Sequence, residues 1–82
     1  MDDHDELVIA QSAFRHGESA IDILHALRLA VYVHAVDEEG LTMVIGPARD
    51  SRLLEVAIII SADGAVVAIH AMTARSKNVR MW

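Results

Sequence analysis

The side chains of this chain that could take part in catalysis are carboxylates, imidazoles and guanidiniums. The sequence contains five histidines and no cysteine, which excludes a thiolate nucleophile, a thiolate metal site and a disulfide scaffold. Its serines lie at predicted caps, turns or the tail, without the G-x-S-x-G pattern of a nucleophile elbow. The histidines lack the spacing of a metal motif and no glycine-rich phosphate loop occurs, so neither a metal nor a cofactor is expected.

RNA cleavage is a reaction that such a set of residues can carry out, because the 2′-OH of the substrate is the nucleophile. A Glu or His can take the proton of that hydroxyl, a second group can protonate the leaving oxygen, and Arg or Lys can neutralise the phosphorane. Glu55 and His70 are the acid–base candidates. The candidates for phosphate are the basic residues that flank the same strands, Arg49, Arg52, Arg75 and Lys77. A structural interpretation stays open for each residue, since a Glu–His pair can be a simple cross-strand contact and a basic tail can be merely solvated.

Two helices are predicted at the start of the chain. Leu7, Ala10 and Phe14 fall on one side of a short helix that Gly17 would end in the left-handed conformation. Ser19 is typical of an N-cap, with Asp22 three residues later in the capping-box position. The second helix that follows has an apolar stripe made of Ala20, Ile23, Leu24, Leu27 and Val31.

Four strands are predicted after the helices, at about Val31–Asp37, Leu41–Gly46, Arg52–Ser61 and Ala65–Met72. Glu38-Glu39-Gly40 joins the first two strands, and Asp63-Gly64 is a strong signal for a two-residue hairpin turn. The predicted fold class is therefore α+β, with two N-terminal helices packed on a four-stranded antiparallel sheet and a short C-terminal tail or helical turn.

The hairpin registers predict which side chains share a face of the sheet. With Asp63-Gly64 as a two-residue turn, Glu55 opposes Met72 and Ala57 opposes His70, so Glu55 and His70 are diagonal neighbours about 7–8 Å apart. Pairing of Asp37 with Leu41 adds Tyr32, His34 and Thr42 to this open face. The opposite face is the expected core, covered by the second helix and made of Val31, Val33, Ala35, Met43, Ile45, Leu54, Val56, Ile58, Ile60, Val67, Ile69 and Ala71.

Length and composition predict one small domain over residues 1–82, with an acidic, frayed terminus at residues 1–6. That terminus is unlike a signal peptide and the apolar runs are too short for a bilayer, so a soluble cytoplasmic protein is expected. Hydrophobic residues make up 54% of the chain, which favours an exposed apolar patch or one covered by a partner. The net charge is −5, yet five of the seven basic residues lie from Gly46 onward, so a local anion site fits the charge distribution better than general affinity for nucleic acids.

Several short motifs resemble the BrnT-like toxins of the RelE/ParE superfamily. Phe14-Arg15-His16-Gly17-Glu18-Ser19 is similar to the "KHG(I/V)S" pattern of that family. Ile45-Gly46-Pro47 and the "R-x-x-E" of Arg52-Leu53-Leu54-Glu55 extend the similarity, and 69–77 stands where the family has "I-S-A-R-x-A". The resemblance covers about residues 9–77, and Thr73 departs from it where many relatives have Pro.

The resemblance implies a RelE-like fold and the toxin of a type II toxin–antitoxin pair. Such a toxin is a ribonuclease, acts on RNA and is silenced by a protein antitoxin, often one with a ribbon-helix-helix domain. By residue match, His16 occupies the position of the histidine that precedes glycine in the family pattern. His16, Arg49 and Lys77 form the predicted RNA-binding set. The predicted catalytic set contains Arg52, Glu55, His70 and Arg75.

That catalytic set depends on a local break in strand pairing. Arg52 opposes Arg75 in the projected register, and in ideal pairing both side chains point to the core face instead of toward Glu55. A bulge or twist near Ala71–Ala74 is therefore required to bring them to one site.

The alternative is a non-catalytic protein-interaction module, either a degenerate toxin or a small homodimer. Its contact surface would be formed by Leu53, Ile59, Val66 and Met72. A weaker third hypothesis is a small-ligand binder in the concavity of the sheet.

Overall fold

The computed structural model describes residues 7–36 and 40–75. One α-helix, α1, spans Ala20–Arg28, and a short 3₁₀ helix spans Gln11–Phe14. The strands are β1 Leu7–Ile9, β2 Tyr32–Ala35, β3 Thr42–Pro47, β4 Leu53–Ile60 and β5 Val66–Thr73. They form one sheet in the order β1-β5-β4-β3-β2, in which β1 is parallel to β5 and the other neighbours are antiparallel. The α+β class is confirmed, but in the described chain one α-helix and a mixed five-stranded sheet replace two helices and four antiparallel strands.

The prediction of a first helix from Leu7 onward is wrong, because Leu7–Ile9 forms strand β1 beside Val66–Ala68 of β5. Val8 and Ile9 are β-branched, and the edge of β5 offers them hydrogen-bond partners that a short isolated helix lacks. The backbone N–H of Ala10 extends this pairing by donating to the carbonyl of Ala68 at 2.8 Å. The predicted stop at Gly17 agrees with the structure, since Gly17 has a φ of 88°.

Helix α1 begins as predicted. The Ser19 hydroxyl oxygen accepts a hydrogen bond from the backbone N–H of Asp22 at 3.2 Å, which satisfies one of the free donors at the helix start. Ile23 and Ala26 are fully buried, whereas Leu24 is partly exposed. The helix lies so close to β3 that a Cβ on Gly46 would stand 2.0 Å from the carbonyl oxygen of Ala26.

The register between β2 and β3 is one residue away from the prediction. Tyr32 pairs with Ile45 and His34 with Met43. The slip reverses the faces of β3, because alternate side chains point to opposite sides of a strand. Met43 and Ile45 therefore lie on the face of Tyr32 and His34, while Thr42 lies on the helix side. The predicted Asp37 pairing and most of the Glu38-Glu39-Gly40 loop lie outside the described residues.

The β4–β5 hairpin differs from the prediction in two ways, and their effects on the strand register cancel each other. The loop has three residues, with a hydrogen bond from Ser61 N–H to the Ala65 carbonyl and a φ of 91° at Gly64. A bulge at Ile69 then restores the predicted register, so that Ala57 pairs with His70. The prediction that Glu55 opposes Met72 is confirmed, but Ile58 pairs with Ala68 and not with Ile69.

These shifts change the composition of the core. On the helix side Ala68 takes the place predicted for Ile69, and Ile60 is 60% exposed. The helix-side core consists of Ala13, Ile23, Ala26, Ala48, Leu54, Val56, Ala68 and Ala71, with Ile9, Leu27 and Ile58 packed against it. A second cluster on the opposite side consists of Met43, Ile45 and Ala57, packed with Tyr32, Leu41, Leu53, Ile69 and Ala74. The face predicted to be open therefore has a buried centre.

Candidate active site

Glu55 is the centre of the candidate site. Its side chain is fully buried in the middle of β4, on the face opposite α1. The backbone N–H of Arg75 donates to Oε1 at 3.0 Å, and Arg75 Nη2 donates to Oε2 at 2.6 Å. His70 Nε2 lies 3.1 Å from Oε2. A buried carboxylate needs such partners, because an unpaired charge in the interior is very costly.

Regular strand pairing brings His70 to Glu55, as predicted. Glu55 pairs with Met72 and Ala57 pairs with His70, so the two side chains are diagonal neighbours on one face. The His70 side chain remains 28% exposed while Glu55 is buried. Since Nε2 faces the carboxylate, Nδ1 is the ring nitrogen that remains for contact with another molecule.

Arg75 reaches Glu55 because the chain leaves the ladder immediately after β5. The N–H of Ala74 still donates to the carbonyl of Leu53 at 2.9 Å, whereas the next N–H, that of Arg75, turns to Glu55. The predicted break near Ala71–Ala74 thus lies one residue later. The hydrogen bonds from Arg75 to the Glu55 carboxylate raise the pKa of the guanidinium, with Coulomb attraction adding to them and burial opposing them. Arg75 is 45% exposed, so this fixed cation also faces solvent.

His16 meets His70 across the edge of β5. The ring centroids are 5.5 Å apart with the planes at 75°, an edge-to-face contact. His16 lies between the 3₁₀ helix and Gly17, whose N–H donates to the Phe14 carbonyl at 3.1 Å. The sequence assigned His16 to RNA binding, and the contact with His70 was not predicted. The 3₁₀ helix is itself attached to β5, since Ser12 Oγ donates to the carbonyl of the bulged Ile69 at 2.6 Å.

Arg52 does not join Glu55. Its guanidinium forms two hydrogen bonds with the Glu18 carboxylate, at 2.8 and 3.1 Å, and one with Thr73 Oγ1 at 2.9 Å. Thr73 pairs with Leu54, so these contacts lie on the helix side of the sheet. The hydrogen bonds to Glu18 raise the pKa of Arg52. The predicted convergence of Arg52 and Arg75 is therefore not observed, because the two guanidiniums bind carboxylates on opposite sides of the sheet.

Of the other predicted phosphate-binding residues, Arg49 is engaged elsewhere and Lys77 lies outside the described residues. Arg49 Nε donates to Asp22 Oδ1 at 2.8 Å and its backbone N–H donates to the same atom at 3.0 Å. These bonds hold the pKa of Asp22 well below its usual range, the side-chain bond having the larger effect.

Glu18 is the residue of this region that the sequence reasoning missed. Its only sequence signal was its position beside Gly17 in a predicted turn, and its partner Arg52 is 34 positions away. Contacts over such a separation leave no periodic pattern in a single sequence.

Residues 7–36 and 40–75 contain no group of three or more His, Asp or Glu residues arranged to hold a metal ion. In the same part of the chain, no helix has both the length and the apolar character that a membrane span requires. Comparison of the chain with protein-family models, with curated proteins and with solved structures gives no match.

Proposed function

We propose that this protein is a metal-independent endoribonuclease whose site consists of His70, His16 and Arg75 around the buried Glu55. The observation that carries the proposal is the fully buried carboxylate bonded at once to an imidazole and a guanidinium that both remain partly exposed. A contact made only for stability would not require this arrangement, because apolar residues of similar size usually stabilise a core as well as a buried ion pair.

His70 is the general base in this proposal. A neutral His70 that donates Nε2–H to Glu55 has its lone pair on Nδ1, where it can accept the proton of the substrate 2′-OH. The bond from O2′ to phosphorus forms and the bond from phosphorus to O5′ breaks. The products are a 2′,3′-cyclic phosphate and a free 5′-OH. Arg75 faces the negative charge that develops on the phosphorane oxygens.

His16 is the general acid, since its ring is the second imidazole of the site. In the imidazolium form it donates a proton to O5′ as that oxygen leaves. Glu55 acts through its neighbours, because a fully buried side chain cannot reach the substrate. It fixes the His70 ring and stabilises the imidazolium that forms after proton uptake, as a buried carboxylate does in a catalytic triad.

The proposed biological role is that of the toxin in a type II toxin–antitoxin pair, acting on RNA in the cytoplasm. The support is the motif resemblance at His16-Gly17, Arg52, Glu55 and the terminal Arg75. A protein antitoxin, of ribbon-helix-helix type by that resemblance, would cover apolar surface. Large hydrophobic side chains exposed on and beside α1 and β2 are consistent with such a partner: Ile21, Leu29, Val31 and Val33.

The same exposed side chains favour a second candidate, a non-catalytic interaction module that binds another protein or a second copy of itself. The contact residues predicted from the sequence are all partly buried: Leu53, Ile59, Val66 and Met72. The exposed side chains on and beside α1 and β2 therefore offer more apolar surface than this predicted set. This candidate predicts binding without RNA cleavage.

The test is cleavage of single-stranded RNA by the purified protein, with and without ribosomes. We expect His70→Ala and Arg75→Ala each to reduce the rate per folded molecule by about 10²–10⁴-fold, with the folded fraction measured by circular dichroism because Arg75→Ala also leaves the buried Glu55 without its guanidinium partner. Arg28→Ala is the matched control, since it removes an exposed arginine at the end of α1. An RNA with a 2′-deoxy sugar at the cleavage position should not be cut, because the nucleophile is missing.

Two further results bear on the choice between the candidates. RNA affinity should fall with salt if Arg75 binds phosphate, despite the net charge of −5, with a slope of log affinity against log salt of about −0.7 for this one contact. Induced expression in a bacterial host should arrest growth with the wild type and not with Arg75→Ala, and a neighbouring reading frame should relieve the arrest. If the wild type cleaves no RNA under any of these conditions, the interaction module replaces the ribonuclease.

A further inference from the structure

Glu18 and Arg52 form a pair of charged side chains that the proposed chemistry does not use. The Glu18 side chain is only 9% exposed, although it lies in a short connection between the 3₁₀ helix and α1. Its two carboxylate oxygens bind the two terminal nitrogens of Arg52, at 2.8 and 3.1 Å. This bidentate geometry fixes the orientation of both side chains, which a single contact would not do.

Arg52 is in turn fixed to the sheet. Its Nη1 also donates to Thr73 Oγ1 at 2.9 Å, its Nε lies 3.5 Å from Asp50 Oδ2, and its backbone N–H donates to Asp50 Oδ1 at 3.1 Å. Since Arg52 immediately precedes β4 and Thr73 ends β5, the guanidinium joins the start of β4 and the end of β5 to Glu18.

His16 is attached to this anchored carboxylate through Gly17 alone. Glu18 is two residues after His16, and Thr73 is three residues after His70 on β5. The chain 16–18 therefore spans the edge of β5, with the His16 ring against His70 on one side and the Glu18 carboxylate against Arg52 on the other. Gly17, with its φ of 88°, allows the turn between them.

We propose that Glu18 and Arg52 are positioning residues that hold His16 against His70. We call the pair the Glu18–Arg52 clamp. It places the second imidazole of the site without touching the substrate, and it explains why Arg52 binds a carboxylate where the sequence predicted a phosphate. The structural part of this inference stands alone, whereas its effect on catalysis rests on the proposed ribonuclease function.

The structural part is tested by NMR of the full-length protein without substrate. In the wild type we expect a nuclear Overhauser effect between the His16 and His70 rings, together with ring-current shifts of their imidazole protons. Both should be lost in Arg52→Ala and weakened in Glu18→Gln, whose amide oxygen keeps one hydrogen bond from Arg52, and Arg52→Lys should likewise retain them in part because Lys keeps one charged contact. Asp22→Asn is the matched control, since it disrupts another carboxylate–arginine pair that is not attached to His16, and it should retain both signals.

The catalytic part is tested by steady-state kinetics on the same variants. Loss of the clamp should lower kcat for RNA cleavage by about 10²-fold with little change in KM, because misplacing a catalytic group weakens the transition state more than substrate binding. A rise in KM with unchanged ring signals would overturn the clamp and make Arg52 a phosphate-binding residue.

The clamp and the ribonuclease function can each be wrong without the other. If the wild type cleaves no RNA but the ring contact depends on Glu18 and Arg52, the clamp stands and the ribonuclease function falls. If RNA is cleaved and the ring contact persists at its wild-type intensity in folded Glu18→Gln protein, the clamp is wrong and the ribonuclease function stands. Glu18→Gln is nearly isosteric, so it provides the decisive result should Arg52→Ala fail to fold.

Discussion

Leu54 and Glu55 are adjacent residues of β4, both fully buried, and they lie on opposite faces of the same sheet. Leu54 belongs to a core made only of apolar side chains, many of them alanines, under α1. Glu55 lies on the other face beside a smaller apolar cluster and is bonded to Arg75 and His70. Among the described residues it is the single charged or polar residue whose side chain is fully buried.

This difference shows how a small domain can place an apolar core and a buried charged group on the two faces of one sheet. The alternation of side chains along β4 assigns each residue to one face, so the helix side can be packed for stability alone. The opposite face can then carry a buried carboxylate, which adds little stability by itself but fixes the groups bonded to it. Four substitutions, two of them at Leu54 and Glu55, test whether the two faces of the sheet differ in this way.

The largest effect is expected on the helix side. Leu54→Ala should lower the free energy of unfolding by about 2–5 kcal/mol, because it removes buried methyl groups and leaves a cavity. Urea denaturation measures the change, with Ile60→Ala of the same strand as the control, since Ile60 is 60% exposed and should cost about 0.5 kcal/mol or less. Equal losses in the two variants would show that β4 is not divided into a core side and an exposed end.

Gly46→Ala tests the contact between α1 and the sheet. The added Cβ would stand 2.0 Å from the Ala26 carbonyl oxygen, and since that atom is backbone the whole helix must move away. We expect a loss of about 3 kcal/mol in unfolding free energy, at the upper end of overpacking effects. Thermal unfolding followed by circular dichroism measures it, and an unchanged midpoint would contradict the close approach of α1 to β3.

Glu55→Gln should have a smaller effect on stability and a larger effect on activity than Leu54→Ala. The amide keeps the shape of the carboxylate but loses its charge and presents N–H groups to donors, so we expect a stability loss of about 1–2 kcal/mol. If the protein is the proposed ribonuclease, its RNA cleavage should fall by about 10²-fold or more, because His70 and Arg75 lose the group that fixes them. Leu54→Ala, assayed at a temperature where it is folded, should retain its activity per folded molecule. A Glu55→Gln protein that cleaves RNA at the full wild-type rate would remove Glu55 from the proposed site.

The smallest effect is expected from the Asp22–Arg49 pair, which is partly exposed. Because Arg49 lowers the folded-state pKa of Asp22, the ionised carboxylate stabilises the fold above its unfolded pKa of about 3.9. That contribution is lost as the pH falls through the lower folded pKa. Wild type and Asp22→Asn should therefore differ slightly in urea midpoint at pH 7, and the difference should shrink below about pH 4. A difference that grows with acid would contradict this assignment.

The β4–β5 hairpin shows how far the sequence could predict the site. The neighbourhood of Glu55 and His70 was predicted from alternation and a turn signal, and the structure confirms it. The assumed two-residue turn was nevertheless wrong, and the bulge at Ile69 compensated for the third loop residue. Nothing local specifies that bulge, since the Ile69 carbonyl is satisfied by Ser12, 57 positions earlier.

Features that depend on a few adjacent residues could be predicted from the amino-acid sequence. The cap at Ser19, the left-handed turn at Gly17 and the alternation that separates Leu54 from Glu55 are set by local hydrogen bonds, φ preferences and strand periodicity. The pairing of β1 with β5, the register of β2 on β3 and the divergence of Arg52 from Arg75 depend instead on contacts between distant parts of the chain. The physical reason is that each of these is a choice between distant partners of similar local preference. It is settled by which arrangement covers a strand edge, fills the core and pairs the buried charges.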